Sequence, residues 1–148
     1  MREILFRGKR VENGEWVEGN YGERFDGEGI VSCISKPTKE TISGTLCYDV
    51  DPSTVGQYTG LTDRNGDRIW KGDIVEFEDG ATYSKIGNVI FYEGAFCIEY
   101  LFYGYKRYHR IGQVDEEHDM GATFTISYKY KVIGNIHDNP ELIGGEKQ

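Results

Sequence analysis

Ala95-Phe96-Cys97-Ile98-Glu99-Tyr100-Leu101-Phe102-Tyr103 is the stretch on which the reading of the fold turns. Phe96, Ile98, Tyr100 and Phe102 occupy every second position, so an extended backbone puts all four on one face, the period of a half-buried strand. Thr123 to Val132 repeats the pattern more cleanly. Phe124, Ile126, Tyr128, Tyr130 and Val132 alternate with Thr125, Ser127, Lys129 and Lys131. Working outward, Asp73-Ile74-Val75-Glu76-Phe77 and Val89-Ile90-Phe91-Tyr92 read as two further strands, with Glu93-Gly94 turning the chain into the third.

Elsewhere the signals are shorter. Ile4-Leu5-Phe6 opens a strand, Asn13-Gly14 suits a type I′ turn, and Trp16-Val17 resumes extended character. Glycines 19, 22, 27 and 29 then suggest short strands and loops. Ile30 to Ile34 is expected to be a strand halted at Lys36-Pro37, since proline lacks a ladder donor. Thr41 to Tyr48 is expected to be extended. Two places carry a cap followed by proline: Asp51-Pro52 and Asn139-Pro140-Glu141 each predict a single helical turn. Gly134-Asn135-Ile136 is expected to continue the last strand or to bulge it. No segment sustains a 3.6-residue apolar period. The expected fold is all-β, with at most two short helical turns.

Composition agrees. The 148 residues include 20 glycines, 11 tyrosines and 7 phenylalanines; glycine serves turns and bulges, and aromatic side chains fit half-buried pleated surfaces. This length suits one domain, or two small lobes sharing a core. The formal net charge of −8 sets a penalty against broad binding of polyanions. Three scattered cysteines, Cys33, Cys47 and Cys97, make no disulfide framework and no C-x-x-C zinc pair, and are expected to be free and buried in a reducing compartment. The N-terminal segment lacks the apolar core of a signal peptide or membrane span. The protein is therefore expected to be cytoplasmic, without a membrane partner.

The rhythm of Lys71-Gly72-Asp73-Ile74-Val75, Gly87-Asn88-Val89-Ile90-Phe91 and Gly94-Ala95-Phe96 matches small SH3-like barrels, whose bent strands place glycine at the corners. A barrel-like antiparallel sheet in the C-terminal half is the resulting expectation.

The segment from Val50 to Val75, with Asp51-Pro52-Ser53-Thr54-Val55-Gly56-Gln57-Tyr58-Thr59-Gly60-Leu61-Thr62-Asp63 leading into Arg64-Asn65-Gly66-Asp67-Arg68-Ile69-Trp70-Lys71-Gly72-Asp73-Ile74-Val75, resembles the signature of the YopX family, proteins encoded by bacteriophages and prophages. Arg2-Glu3-Ile4-Leu5-Phe6-Arg7-Gly8 is similar to the family's opening and Gly94-Ala95-Phe96 to its middle. Val132 to Leu142 is similar to its ending. The resemblance runs end to end, with weaker patches at 20–40 and 104–122. It implies one YopX-like domain over 1–148: N-terminal strands at about 1–50, the signature at 50–75, and a barrel-like part at about 69–138. It also implies a phage or prophage origin in a bacterial host, with oligomerisation plausible and no established activity to carry over.

Several segments carry the outline of a functional motif and have a plainer reading. Asp63-Arg64-Asn65-Gly66-Asp67 spaces oxygen ligands like a calcium loop, but positions six and twelve hold Arg68 and Ile74 instead of glycine and glutamate. It reads as a turn. Asp115-Glu116-Glu117-His118-Asp119 reads as a solvated acidic loop, and His109 and His137 form no zinc motif. There is no nucleophile elbow, P-loop or dinucleotide fingerprint. No catalytic residue, metal or cofactor is expected, and the chain is read as a non-enzyme. The candidate binding surface is Tyr100, Tyr103, Tyr105, Lys106, Arg107, Tyr108 and Arg110. Tyrosine and arginine are usual anchors for protein contacts, which makes a protein partner or a homo-oligomer the first expectation. Interleaved aromatics and cations also suit single-stranded nucleic acid, an alternative that the net charge disfavours. A hydrolase assembled from dispersed acids and histidines comes third.

Overall fold

In the computed structural model, residues 4–78, 84–112 and 130–144 are described. They form two antiparallel sheets and two short 3-10 turns. No helix among them is long and apolar enough to cross a membrane. The chain divides into two compact units, Met1–Tyr58 and Thr59–Gln148.

The first unit carries β1 (Phe6–Lys9), β2 (Trp16–Phe25), β3 (Ile30–Pro37), β4 (Thr45–Asp49) and the start of β5 (Gly56–Thr62). The spatial order is β4-β3-β2-β1-β5. Several sequence expectations need correction here. The β1–β2 connection is not a two-residue type I′ turn. Lys9 pairs with Trp16, and the loop between them closes through Arg10 N–H to Glu15 O and Gly14 N–H to Arg10 O, with only Gly14 at positive φ. The glycines of β2 do not break it: Gly19 is needed because a Cβ there would come within 2.3 Å of Ser35 O on β3. β3 runs on to Pro37, which sits at its last pair, opposite Thr45, where a missing donor costs least. Thr41 to Gly44 turns instead of extending, tied by Thr41 Oγ1 to the Thr45 N–H and C=O. Val17, Ile34 and Val50 form the buried cluster, with Phe6, Tyr48 and Val55 packed against it. The first 3-10 turn, Pro52–Thr54, forms as expected, with the Asp51 carboxylate accepting from Ser53 N–H.

The second unit holds the remainder of β5, then β6 (Arg68–Trp70), β7 (Asp73–Phe77), β8 (Lys85–Tyr92), β9 (Ala95–Phe102), β10 (Tyr105–Arg110) and β11 (Tyr130–Asn135). Its five-stranded sheet has the order β10-β9-β8-β7-β11. Register puts Val75, Phe77, Val89, Phe96, Ile98, His109 and Tyr130 on one face, and the apolar members make the core with Ile69 and Ile111. The alternation expected for 96, 98, 100 and 102 is therefore present. That expected for 123–132 lies outside the described residues before Tyr130. β11 bulges between Val132 and Gly134.

His109 on β10 and Tyr130 on β11 come from opposite edges of this sheet, yet His109 Nε2 lies 2.8 Å from the Tyr130 hydroxyl. The sheet is rolled enough for its edge strands to meet through the core. Among the described residues no backbone ladder joins β10 to β11, so a closed barrel is not seen.

Asp63, 1% exposed, explains the turn that mimics a calcium loop. Its carboxylate accepts from Asn65 N–H and Asp67 N–H at 2.9 Å each, and from Val132 N–H at 2.9 Å, while Arg64 N–H donates to Tyr130 O. The acceptor oxygens hold the backbone of the turn and fasten it to β11. The second 3-10 turn, Pro140–Ile143, also forms, but Asn139 does not cap it. Its Oδ1 instead accepts from Asn135 N–H at 3.2 Å, a close approach that Gly134 permits.

Candidate functional site

The candidate residues lie on the β9–β10 hairpin. Tyr103 and Gly104 both take positive φ (51° and 82°), which is the type I′ geometry of a two-residue connection. Register then follows: Tyr105 opposite Phe102, Arg107 opposite Tyr100, His109 opposite Ile98, and between them Lys106 opposite Leu101, Tyr108 opposite Glu99 and Arg110 opposite Cys97. The seven residues therefore do not share a face. Tyr100, Tyr105 and Arg107 lie on the core-facing side with Phe102, and Tyr100 packs edge-on against Phe77. Lys106, Tyr108 and Arg110 lie on the other side. Tyr103 stands at the tip.

Exposure rises toward that tip. Leu101 is 65% exposed, Tyr105 71% and Tyr103 87%. Phe102 packs edge-on against Tyr103, with the Lys85 ammonium 5.5 Å from the Phe102 ring. On the opposite face, Tyr108 stacks on Tyr92 with ring centroids 4.0 Å apart and planes at 3°. Desolvation raises the Tyr108 phenol above its ordinary range, and the neighbouring Glu99 carboxylate adds to the effect. Glu99 also lies 4.0 Å from Lys106, so that cation is partly neutralised within the sheet. Among the described residues, Arg107 and Arg110 form no ion pair. Sequence reading missed Tyr92, Lys85 and Glu99; only the register across β8, β9 and β10 brings them to the hairpin.

Two grooves lie away from the tip. In the second unit, Ile86, Asn88, Glu99, Leu101 and Lys106 floor a groove of about 360 Å³ beside Leu142 and Ile143. In the first unit, a groove of about 490 Å³ is lined by Arg10, Glu12, Arg24, Cys47, Tyr48 and Asp49. Its charges are already matched: Arg24 bonds both Asp49 oxygens, at 3.0 and 2.6 Å, and Arg10 bonds Glu12 at 3.0 Å while lying over the Tyr48 ring.

All three cysteines are free. Cys33 and Cys97 are buried as expected, whereas Cys47 is exposed, a correction that follows from its place on the open strand β4. Cys33 sits diagonally across from Cys47, because Cys33 pairs with Asp49 and Ser35 pairs with Cys47. Burial, followed by the adjacent Cys47 thiol, pushes the Cys33 thiol up to about 11. Among the described residues no group of three or more His, Cys, Asp or Glu side chains is placed to hold a metal ion. The acidic run 115–119 lies outside them.

A crystal structure of protein EF1440 from Enterococcus faecalis is similar to this chain, with 23% sequence identity over 97% of this chain and 99% of that one, at a TM-score of 0.49. No curated protein matches the sequence. The family model described as YopX protein matches residues 5–144. With a match over nearly its whole length, the chain belongs to the YopX family.

Proposed function

We propose that this protein acts by binding, either to another protein or to further copies of itself, through the β9–β10 hairpin. The observation that carries the reading is the exposure of Leu101, Phe102, Tyr103 and Tyr105 around one hairpin tip, at the end of a sheet whose Val75, Phe77, Val89, Phe96 and Ile98 are buried. Aromatic side chains held rigidly by a type I′ turn lose little entropy on association, which suits them as anchors. The test is molar mass by light scattering behind size exclusion at two salt concentrations, together with pull-downs from infected cells. Assembly or partner capture that disappears in Tyr103→Ser/Tyr105→Ser supports the reading. Monomeric behaviour with no captured partner rejects it.

A second reading, single-stranded nucleic-acid binding, draws on the Tyr92–Tyr108 stack with Arg110 on the same face. Division of the cations between two faces counts against a continuous phosphate track. This reading requires salt-dependent oligonucleotide binding that weakens in Arg107→Ala, and absence of binding at low salt would end it. The third possibility, a hydrolase, gains nothing from the two grooves, whose Arg–carboxylate and Lys–carboxylate pairs leave no cluster of acids and histidines among the described residues.

The rolled C-terminal sheet is read as SH3-like and barrel-like on the strength of the His109–Tyr130 contact; an experimental structure with β10 and β11 splayed apart would remove that reading. Accessory service to a phage or prophage in the host cytoplasm follows from the family resemblance, and a genomic neighbourhood without phage genes would argue against it.

A further inference from the structure

We infer that the outer edge of β10 accepts an extended acidic segment of a partner protein as an added strand. The inference rests on the binding reading above and narrows it to one mode and one partner chemistry. Among the described residues β10 is the terminal strand of its sheet, paired only with β9. The phase of its hydrogen bonds follows from the hairpin. A type I′ connection makes Phe102 and Tyr105 a hydrogen-bonded pair, and Ile111 N–H donating to Phe96 O keeps that phase to the strand's far end. Tyr105, Arg107 and His109 therefore bond inward to β9. The N–H and C=O groups of Lys106, Tyr108 and Arg110 point outward, where no described residue meets them. This is the ladder that a partner strand, added beside β10 as the sixth of the sheet, would complete.

Charge selects the occupant. β10 reads Tyr-Lys-Arg-Tyr-His-Arg, with three cations and no acid, in a chain whose net charge is −8. A second copy of β10 in antiparallel pairing would set cations against cations, which destabilises a sheet and is a familiar guard against edge-to-edge aggregation. An acidic strand meets the opposite situation. Its side chains alternate between faces and so encounter Arg107 on one side and Lys106 and Arg110 on the other. The same two-sided division that serves a phosphodiester track poorly fits a β-strand, and only a peptide backbone matches the outward N–H and C=O groups.

The test is fluorescence anisotropy of the full chain with a labelled synthetic peptide of repeating Glu-Glu-Val-Val, which puts glutamates on both faces of a strand. It is run beside the same peptide with proline in place of every valine, its lysine counterpart, and oligothymidine. The glutamate–valine peptide should bind, weaken with added salt, and lose about tenfold in affinity in Arg107→Glu and in Lys106→Glu/Arg110→Glu. Arg107→Gln, a milder change, should fall between. The proline peptide keeps its charge but loses ladder donors, so it should not bind. Equal binding of the proline peptide would reduce the effect to charge attraction and overturn the inference. So would tighter binding of oligothymidine, or no binding of the glutamate–valine peptide at low salt. If the peptide fails while Tyr103→Ser/Tyr105→Ser still abolishes assembly or partner capture, only strand addition falls. If neither matters, the binding reading falls with it.

Discussion

The two units use the same antiparallel pairing and reach different interiors. In the second unit, strict alternation along β7, β8 and β9 sends Val75, Phe77, Val89, Phe96 and Ile98 inward, where Tyr130, Ile69 and Ile111 join them. In the first, β2 holds Gly19 where alternation would otherwise place a core-facing side chain, and the buried cluster among the described residues reduces to Val17, Ile34 and Val50. Its contacts outside that cluster include Arg7 over Trp16, Arg10 over Tyr48 and Arg24 against Asp49. Pairing alone therefore does not decide how much a sheet contributes to stability. That depends on which residues its register turns inward.

The comparison can be broken most directly at Phe77, which lies against Tyr100, His109 and Tyr130. Phe77→Ala should cost about 4 kcal/mol in urea denaturation, through lost burial and the cavity left behind. Asp63→Ala strips three backbone donors of their acceptor and should cost about 3 kcal/mol, with faster amide exchange at Val132. If calcium raised the melting temperature of the wild-type chain and not that of Asp63→Asn, the turn assignment would be wrong. Ile34→Ala attacks the smaller cluster and should cost about 2 kcal/mol, the low end for such a change, because a thin interior can settle into the gap. A loss equal to that of Phe77→Ala would erase the distinction between the units.

Alkaline titration sharpens it further. Burial raises the Tyr130 phenol to about 12 and is the leading cause that raises the Cys33 thiol to about 11. Both groups hold their protons more tightly when folded. Their contributions are thus complete below the ordinary tyrosine and cysteine ranges, and disappear as pH rises through the folded values. Thiol labelling at Cys33 and phenolate absorbance of Tyr130 should each appear only above the ordinary range of that group, with amide exchange quickening in the unit that holds it. Simultaneous loss would place both groups in one cooperative transition. The smallest effect is expected at Arg24→Ala. Its pair with Asp49 is well exposed and should leave the denaturation midpoint unchanged within error.

Much of the second unit was legible because its signals are local. Glu93-Gly94 enforces a hairpin turn at a fixed position, and a period of two assigns faces without any knowledge of neighbours. The first unit was less legible because its decisive contacts are distant in sequence. Gly19 is a glycine inside a strand only because Ser35 approaches it, and Asn13-Gly14 fails as a two-residue turn because Lys9 pairs with Trp16. The candidate site was readable as a set of residues and unreadable as a surface. Its tyrosines and cations lie close together in the chain, but alternate residues of a strand point to opposite faces.

By itself, the sequence determined that the chain forms strands, that Glu93-Gly94 turns it, where the two 3-10 turns form, and to which family it belongs. These properties rest on local backbone preference and on residue-by-residue similarity. Tertiary structure alone decided that Asp63 is a staple to β11, that His109 meets Tyr130 across the core, and that Lys106 and Arg110 face away from Arg107. Each depends on the register and roll of strands far apart in the chain, and register is set by the combined burial of all the strands together.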